Sequence, residues 1–180
     1  VLVSGAALAD VVHTTDDGVD LVPSTIDLAA AEPQLLGRPG REFLLREALA
    51  DVLPSYDVVL LDCSPSLGVL TLAALTAADE VLVPVQCEML SHRGVGQLLD
   101  TIGDVQRILN SDLTVVGLLP TMYDGRTTHA RAVLADLEQR YDLLVLPPIP
   151  KSIRFAEAPA VGRSVLATAR TSKGADAYRE

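Results

Sequence analysis

Tyr56-Asp57-Val58-Val59-Leu60-Leu61-Asp62-Cys63-Ser64-Pro65-Ser66-Leu67-Gly68 is the stretch on which the architecture turns. Four consecutive apolar residues lie between two aspartates, and a polar run bearing Pro and Gly follows. A short apolar run without polar alternation is the pattern of a parallel strand covered on both faces. Three more runs repeat it: residues 81–85 after Asp79-Glu80, residues 113–119 before Pro120, and residues 143–146 before Pro147. Between them Val95, Leu98, Leu99, Ile102 and Val105 keep helical spacing, as do Ala130, Val133, Leu134, Leu137 and Tyr141. Strand and helix in alternation imply an α/β fold: a doubly wound, mostly parallel sheet flanked by helices, with right-handed crossovers. Upstream, residues 19–22 read as another strand, residues 43–53 as an amphipathic helix and residues 6–12 as a helix.

In such sheets ligands bind beyond the carboxyl ends of the strands, which are expected to share one edge. Those ends are 62–68, then Pro84-Val85-Gln86-Cys87-Glu88, then Pro120-Thr121-Met122-Tyr123-Asp124-Gly125-Arg126, then Pro148-Ile149-Pro150-Lys151. Each is Pro-rich, Gly-rich or polar, as irregular backbone facing a ligand is. Asp62, closing an apolar strand, stands where a carboxylate holds nucleotide-bound Mg²⁺ directly or through water. A strand-terminal Asp that only caps the next turn is the commoner case when nothing else accompanies it.

Composition bounds the remaining classes. With 180 residues, 49% of them hydrophobic, the chain can bury the core of one domain and is too apolar to be disordered. No apolar run approaches the roughly 20 residues that span a bilayer, so a cytoplasmic protein without a membrane partner is expected. The net charge of −10 speaks against nucleic acid, but the average conceals an asymmetry. Residues 1–120 carry 5 Lys and Arg against 17 Asp and Glu, while residues 121–180 carry 9 against 7. The last third is where a polyanion could bind. Cys63 and Cys87 lack a close-spaced Cys or His partner and read as reduced and structural. His13 and His129 have no partner at metal spacing. Ser64, His92 and Asp62 could be written as a triad, yet no Gly-x-Ser-x-Gly elbow surrounds the serine.

The segment 56–68 resembles the Walker B and switch II region of the ParA/Soj family of chromosome- and plasmid-partitioning ATPases. Residues 77–88 are similar to that family's next strand and 121–127 to its following loop. Ile149-Pro150-Lys151-Ser152-Ile153-Arg154-Phe155-Ala156-Glu157-Ala158-Pro159 and Ser172-Lys173-Gly174-Ala175-Asp176-Ala177-Tyr178 complete an ordered set covering nearly the whole chain. The family's deviant Walker A loop, its first strand and its Asp-bearing strand would precede Val1, so residues 1–180 are expected to be a single ATPase domain lacking that portion. Ser64 stands where Pro is usual, and Lys151 where Arg is usual, which keeps the charge but loses the bidentate fork.

The resemblance implies ATP and Mg²⁺ as cofactors. It assigns Asp62 to the metal site, Ser64 with Asp62 to the catalytic switch, and Met122 and Pro150 to the neighbourhood of the adenine. It assigns non-specific DNA binding to Arg126 and Arg154, with Lys151 and Lys173 as further candidates, in a homodimer formed with ATP and acting with a ParB-like centromere-binding partner at the nucleoid. A solvated surface arginine is the commoner fate of any single one. Two other readings stand beside it: a MinD-like membrane-cycling ATPase, which needs a basic amphipathic helix, and a non-catalytic scaffold that keeps the fold.

Overall fold

The computed structural model describes residues 1–87 and 91–180, with the backbone alone for 91–93. Glu88 and the imidazole of His92, both singled out above, lie outside the described residues. The chain divides into two compact units: Val1–Asp79 with Leu98–Leu113, and Glu80–Gln97 with Thr114–Glu180.

The first unit is built on helices. Helices α1 (Ala31–Leu36) and α2 (Leu44–Ala50) and the 3₁₀ turn Arg41–Phe43 pack on α3 (Val69–Ala77). Ala31, Leu35 and Val69 form a buried cluster against which Leu2, Leu44 and Leu70 pack. Asn110 closes α3 from a distance in sequence: its Nδ2 donates to the carbonyls of Leu75 at 3.0 Å and Ala78 at 2.7 Å. Those are the orphan acceptors that every helix end leaves. At the other end, the buried Thr71 hydroxyl donates to the Ser66 carbonyl at 2.6 Å, tying the polar run after Asp62 to the first turn of α3.

Residues 58–61 do not form the expected covered strand. They run extended with no ladder partner among the described residues, and Val58 and Leu60 are 73% and 89% exposed. A strand is a pairing rather than a property of one segment, so apolar composition without a hydrogen-bonded neighbour produces only extended chain. Residues 19–22 contribute a two-residue strand β2 (Asp20–Leu21), paired antiparallel with β1 (His13–Thr14) rather than inserted into a parallel sheet. The helix expected over 6–12 is one 3₁₀ turn, Leu8–Val11, and that over 43–53 stops at Ala50.

The second unit holds the parallel pair β3 (Glu80–Gln86) and β4 (Thr114–Thr121), joined by α4 (Ser91–Ile108), which passes into the first unit at Leu98. Burial along β3 alternates, with Val83 and Val85 buried and Leu82 exposed. One face is therefore covered, not the expected two. A bulge follows Val81 and Val115, and the next β4 rung falls on Gly117. Gly117 has φ 157°, and a Cβ there would lie 2.5 Å from the Leu144 carbonyl oxygen. That open space admits residues 143–146 as a partial third strand: Leu118 N–H donates to Leu144 O at 2.8 Å and Leu146 N–H to Leu118 O at 2.9 Å. Only the bridge at Val145 meets the strand pattern, because Pro147 and Pro148 follow and have no N–H to continue the ladder.

After β4 the chain makes α5 (Thr128–Arg140), capped by Thr127 Oγ1, which accepts from Ala130 N–H at 3.2 Å. Ala130, Val133 and Leu137 are its buried stripe, at the expected spacing. Three short helices end the chain: α6 (Arg154–Ala160), α7 (Val165–Thr168) and α8 (Lys173–Ala177). Phe155 of α6 stands edge-on to Tyr178 at 5.5 Å between ring centroids, and Gly174 of α8 faces the same ring with no room for a side chain. The Lys-Gly-Ala run and the following Tyr thus dock α8 on α6.

Candidate functional site

Within the second unit the strand ends meet as the sheet topology requires. Gln86 pairs with Thr121, Cys87 N–H donates to Thr121 O at 3.1 Å, and Tyr123 is bridged in parallel to Pro150. Tyr123 N–H donates to Ile149 O at 3.1 Å and Lys151 N–H to Tyr123 O at 2.9 Å. The Tyr123–Arg126 loop and the Pro150-Lys151 segment are therefore locked edge to edge. Just before the loop, Met122 adopts φ 53°, the only positive φ of a non-glycine among the described residues. A left-handed L-residue costs about 1–2 kcal/mol, and such cost concentrates where a loop must present its side chains in one way.

An open cavity of about 490 Å³ lies at this edge, lined by Tyr123, Asp124, Gly125, Arg126, Pro150, Lys151 and Lys173. Four of the residues expected from sequence, Arg126, Pro150, Lys151 and Lys173, come together here from segments 22 or more positions apart. Three cations face one carboxylate, so the cavity favours anions. Met122 and Arg154 are not among the lining residues. Met122 precedes the loop and is 44% exposed; Arg154 opens α6, and its Nη1 donates to Glu157 Oε2 at 2.7 Å.

Asp124 organises the loop. Its carbonyl accepts from Thr127 N–H and from Thr127 Oγ1, both at 3.0 Å, and its carboxylate accepts from Arg126 Nε at 2.9 Å and Nη2 at 2.8 Å. Those bonds from the Arg126 side chain, then the Arg126 backbone N–H, hold the Asp124 carboxyl at about 2, well below its ordinary 3.8. Asp124 carries no role in the sequence expectation; its signal there is an acid two residues before an arginine in a Gly-containing turn.

Asp62 and Ser64 belong to the first unit. Both are exposed, and the Asp62 carboxylate has no hydrogen-bond or ion-pair partner among the described residues. Ser64 and Ser66 share a hydroxyl hydrogen bond of 3.1 Å, and Ser66 N–H donates to Ser64 Oγ at 3.3 Å. An exposed, unengaged carboxylate is a hard oxygen donor of the kind Mg²⁺ takes, one or two carboxylates being completed by phosphate oxygens and water. No cluster of three or more His, Cys, Asp or Glu able to hold a metal by itself occurs among the described residues. Partial desolvation, and secondarily the Asp62 charge, raise the Cys63 thiol above its usual range; burial does the same to Cys87. Both stay protonated thiols at neutral pH; Cys87 is buried, as a structural thiol is, whereas Cys63 is exposed. No helix among the described residues is long and apolar enough to cross a membrane.

Comparison with known proteins adds the family context. A family model described as an AAA domain matches residues 1–115. The chain is 41% identical over 180 residues to the sporulation initiation inhibitor protein Soj of Bacillus subtilis (strain 168), covering 99% of this chain and 71% of that protein. It is 46% identical over 179 residues to the chromosome-partitioning ATPase Soj of Thermus thermophilus, covering 99% of this chain and 70% of that protein. A solved structure of Mycobacterium smegmatis, called cobyrinic acid a,c-diamide synthase and holding ADP and magnesium, superposes with a TM-score of 0.84 at 52% identity, over 99% of this chain and 66% of that one. The chain thus spans between 66% and 71% of the length of these three proteins. The architecture they share is the α/β fold of nucleoside triphosphatases with a phosphate-binding loop.

Proposed function

The chain belongs to the Soj/ParA family of partitioning ATPases, and on that premise we propose that the protein carrying it is an ATP-driven DNA-segregation switch. The observation that supports this most is the gathering of Arg126, Lys151 and Lys173 around one cavity at the end of β4, in the net-positive third of an acidic chain. Cations without base-reading geometry suit phosphate, and such contacts bind duplexes regardless of sequence. Arg154, which opens α6, is a further candidate for phosphate contact.

In this reading ATP with Mg²⁺ binds the protein that carries this chain. When bound, Mg²⁺ would supply charge neutralisation to the nucleotide phosphates, and Asp62 would be the residue that holds it. The 64–68 run, tethered to α3 through Thr71, would sense the γ-phosphate. Met122 and Pro150 flank the adenine. ATP joins two copies, DNA is held by both basic patches, and a ParB-like partner at the nucleoid stimulates hydrolysis. The cobyrinic acid name of the M. smegmatis structure supports a second reading, ATP-dependent amide formation on a corrin carboxylate.

The test is a gel-shift titration of the ATP-loaded full-length protein on unrelated duplexes. The double variant Arg126→Ala, Arg154→Ala should lose most binding, with the salt slope falling by roughly one unit per contact removed. Equal retention by wild type and variant removes the DNA assignment. ATP turnover that rises with cobyrinic acid and ammonia, and not with DNA, would establish the second reading instead.

A further inference from the structure

The bond between Asp124 and Arg126 is more complete than the loop requires. Arg126 donates to the carboxylate from Nε at 2.9 Å, Nη2 at 2.8 Å and the backbone N–H at 3.1 Å. This side-on fork is how a guanidinium holds a carboxylate or a phosphate. The Arg126 side chain is 90% exposed and that of Asp124 28%, so solvent reaches the pair and screens it, and such an ion pair adds little to folding. The loop is already closed by the two bonds from Thr127 to the Asp124 carbonyl. A well-formed fork that the fold does not need, beside a cavity lined by two lysines, asks for another account.

Resting on the reading that Arg126 meets DNA phosphate, we propose that Asp124 is an intramolecular stand-in for that phosphate. It fixes the guanidinium through its Nε–Nη2 edge, leaves the Nη1 side for the nucleic acid, and offsets the charge so that one patch alone holds a duplex weakly. The physics sets the size. A unit negative charge about 5 Å from an incoming phosphate oxygen, in water, weakens binding about fourfold. Where two patches engage one duplex the factor is squared, about sixteenfold. Asp124 would thereby weaken both states, a single patch by about fourfold and two patches by about sixteenfold, and keep a single patch from holding a duplex firmly.

Fluorescence anisotropy on a random-sequence duplex, with full-length protein, tests this through Asp124→Asn and Asp124→Ser. Both replacements keep an oxygen to accept the Arg126 backbone N–H and remove the charge, and a melting curve for each checks that the loop is intact. Both should bind about fourfold more tightly with ADP and about sixteenfold with a non-hydrolysable ATP analogue. The salt slope should steepen by up to about one unit per patch as the guanidinium is released to phosphate. In an Arg126→Ala background the roughly fourfold gain from removing the charge should remain, whereas the steepening of the salt slope should vanish, since no guanidinium is freed. Unchanged or weaker binding by both variants overturns the proposal, as does an equal steepening of the salt slope with and without Arg126. If Arg126→Ala alone leaves DNA binding untouched, the phosphate reading itself fails, and that result is seen independently of any change at Asp124.

Discussion

Gly103 and Gly174 both lie in helices, and adding one methyl group to each should move stability in opposite directions. A Cβ built on Gly103 of α4 meets nothing within 4 Å. Gly103→Ala therefore gains helix propensity and loses unfolded-state freedom, and should stabilise by about 0.5–1 kcal/mol. A Cβ on Gly174 of α8 would lie 2.6 Å from Phe155 Cζ and 3.1 Å from Cε1, closer than side-chain carbons approach. The ring cannot simply swing aside, because its edge is set against Tyr178 at 81° between planes. Forcing a methyl group into such a contact costs about 1–3 kcal/mol. The same propensity gain offsets part of that, leaving a net loss of about 1 kcal/mol. The two variants should then differ by about 2 kcal/mol, or about 4–8 °C in melting midpoint for a chain of this size. Circular dichroism melts of both variants beside wild type measure the gap. A Gly174→Ala midpoint as high as that of Gly103→Ala would refute the claim that ring and glycine interlock, and with it the account of how α8 docks on α6.

Two further outcomes are expected. In the folded protein the Asp124 carboxyl should titrate at about 2, and Arg126→Ala should return it toward 3.8, read by NMR of the side-chain carboxyl. Because the folded value is the lower one, whatever stability the pair contributes is present in full above the ordinary carboxylate range and is lost as pH falls toward 2. Asp62→Ala in the full-length protein should reduce Mg²⁺-dependent phosphate release to the level of a protein-free control; unchanged release would exclude Asp62 from the metal site.

Periodic features were legible in the sequence and relational ones were not. Val95 to Val105 and Ala130 to Leu137 specify α4 and α5 because each helix buries one stripe and needs no distant partner to declare it. Residues 81–85 and 113–119 marked β3 and β4 within a few positions, and each strand finds the other. Residues 58–61 carry the same apolar signal, yet they gain no ladder, since pairing depends on a neighbour that composition does not name. The third strand shrinks to a bridge for a different reason, the two prolines that follow it. At the site, resemblance to a family supplied Arg126, Lys151 and Lys173, while spacing alone could not bring such separated positions to one cavity. Met122 gave no warning of its left-handed backbone, because methionine has no preference for that region.

The charges at this edge alter the order in which the sequence ranks its cations. Arg126 and Arg154 match the family pattern best, but each is held by a carboxylate of its own segment, Asp124 at 2.8 Å and Glu157 at 2.7 Å. Arg179 is likewise held by Asp176 at 2.9 Å. Lys151 and Lys173 make no salt bridge among the described residues, and both line the cavity. The uncompensated positive charge of the site is therefore lysine charge, which attracts a phosphate without dictating its orientation. The arginines have the orienting fork but must share it with an acid. On the proposed DNA reading, in a chain of net charge −10 this division would give a weak, salt-sensitive first contact through the lysines and a firmer one only where an arginine exchanges its carboxylate for a phosphate. Such exchange is nearly neutral for one pair in water and adds up only when several occur together. Firm binding would then belong to assemblies that present more than one patch.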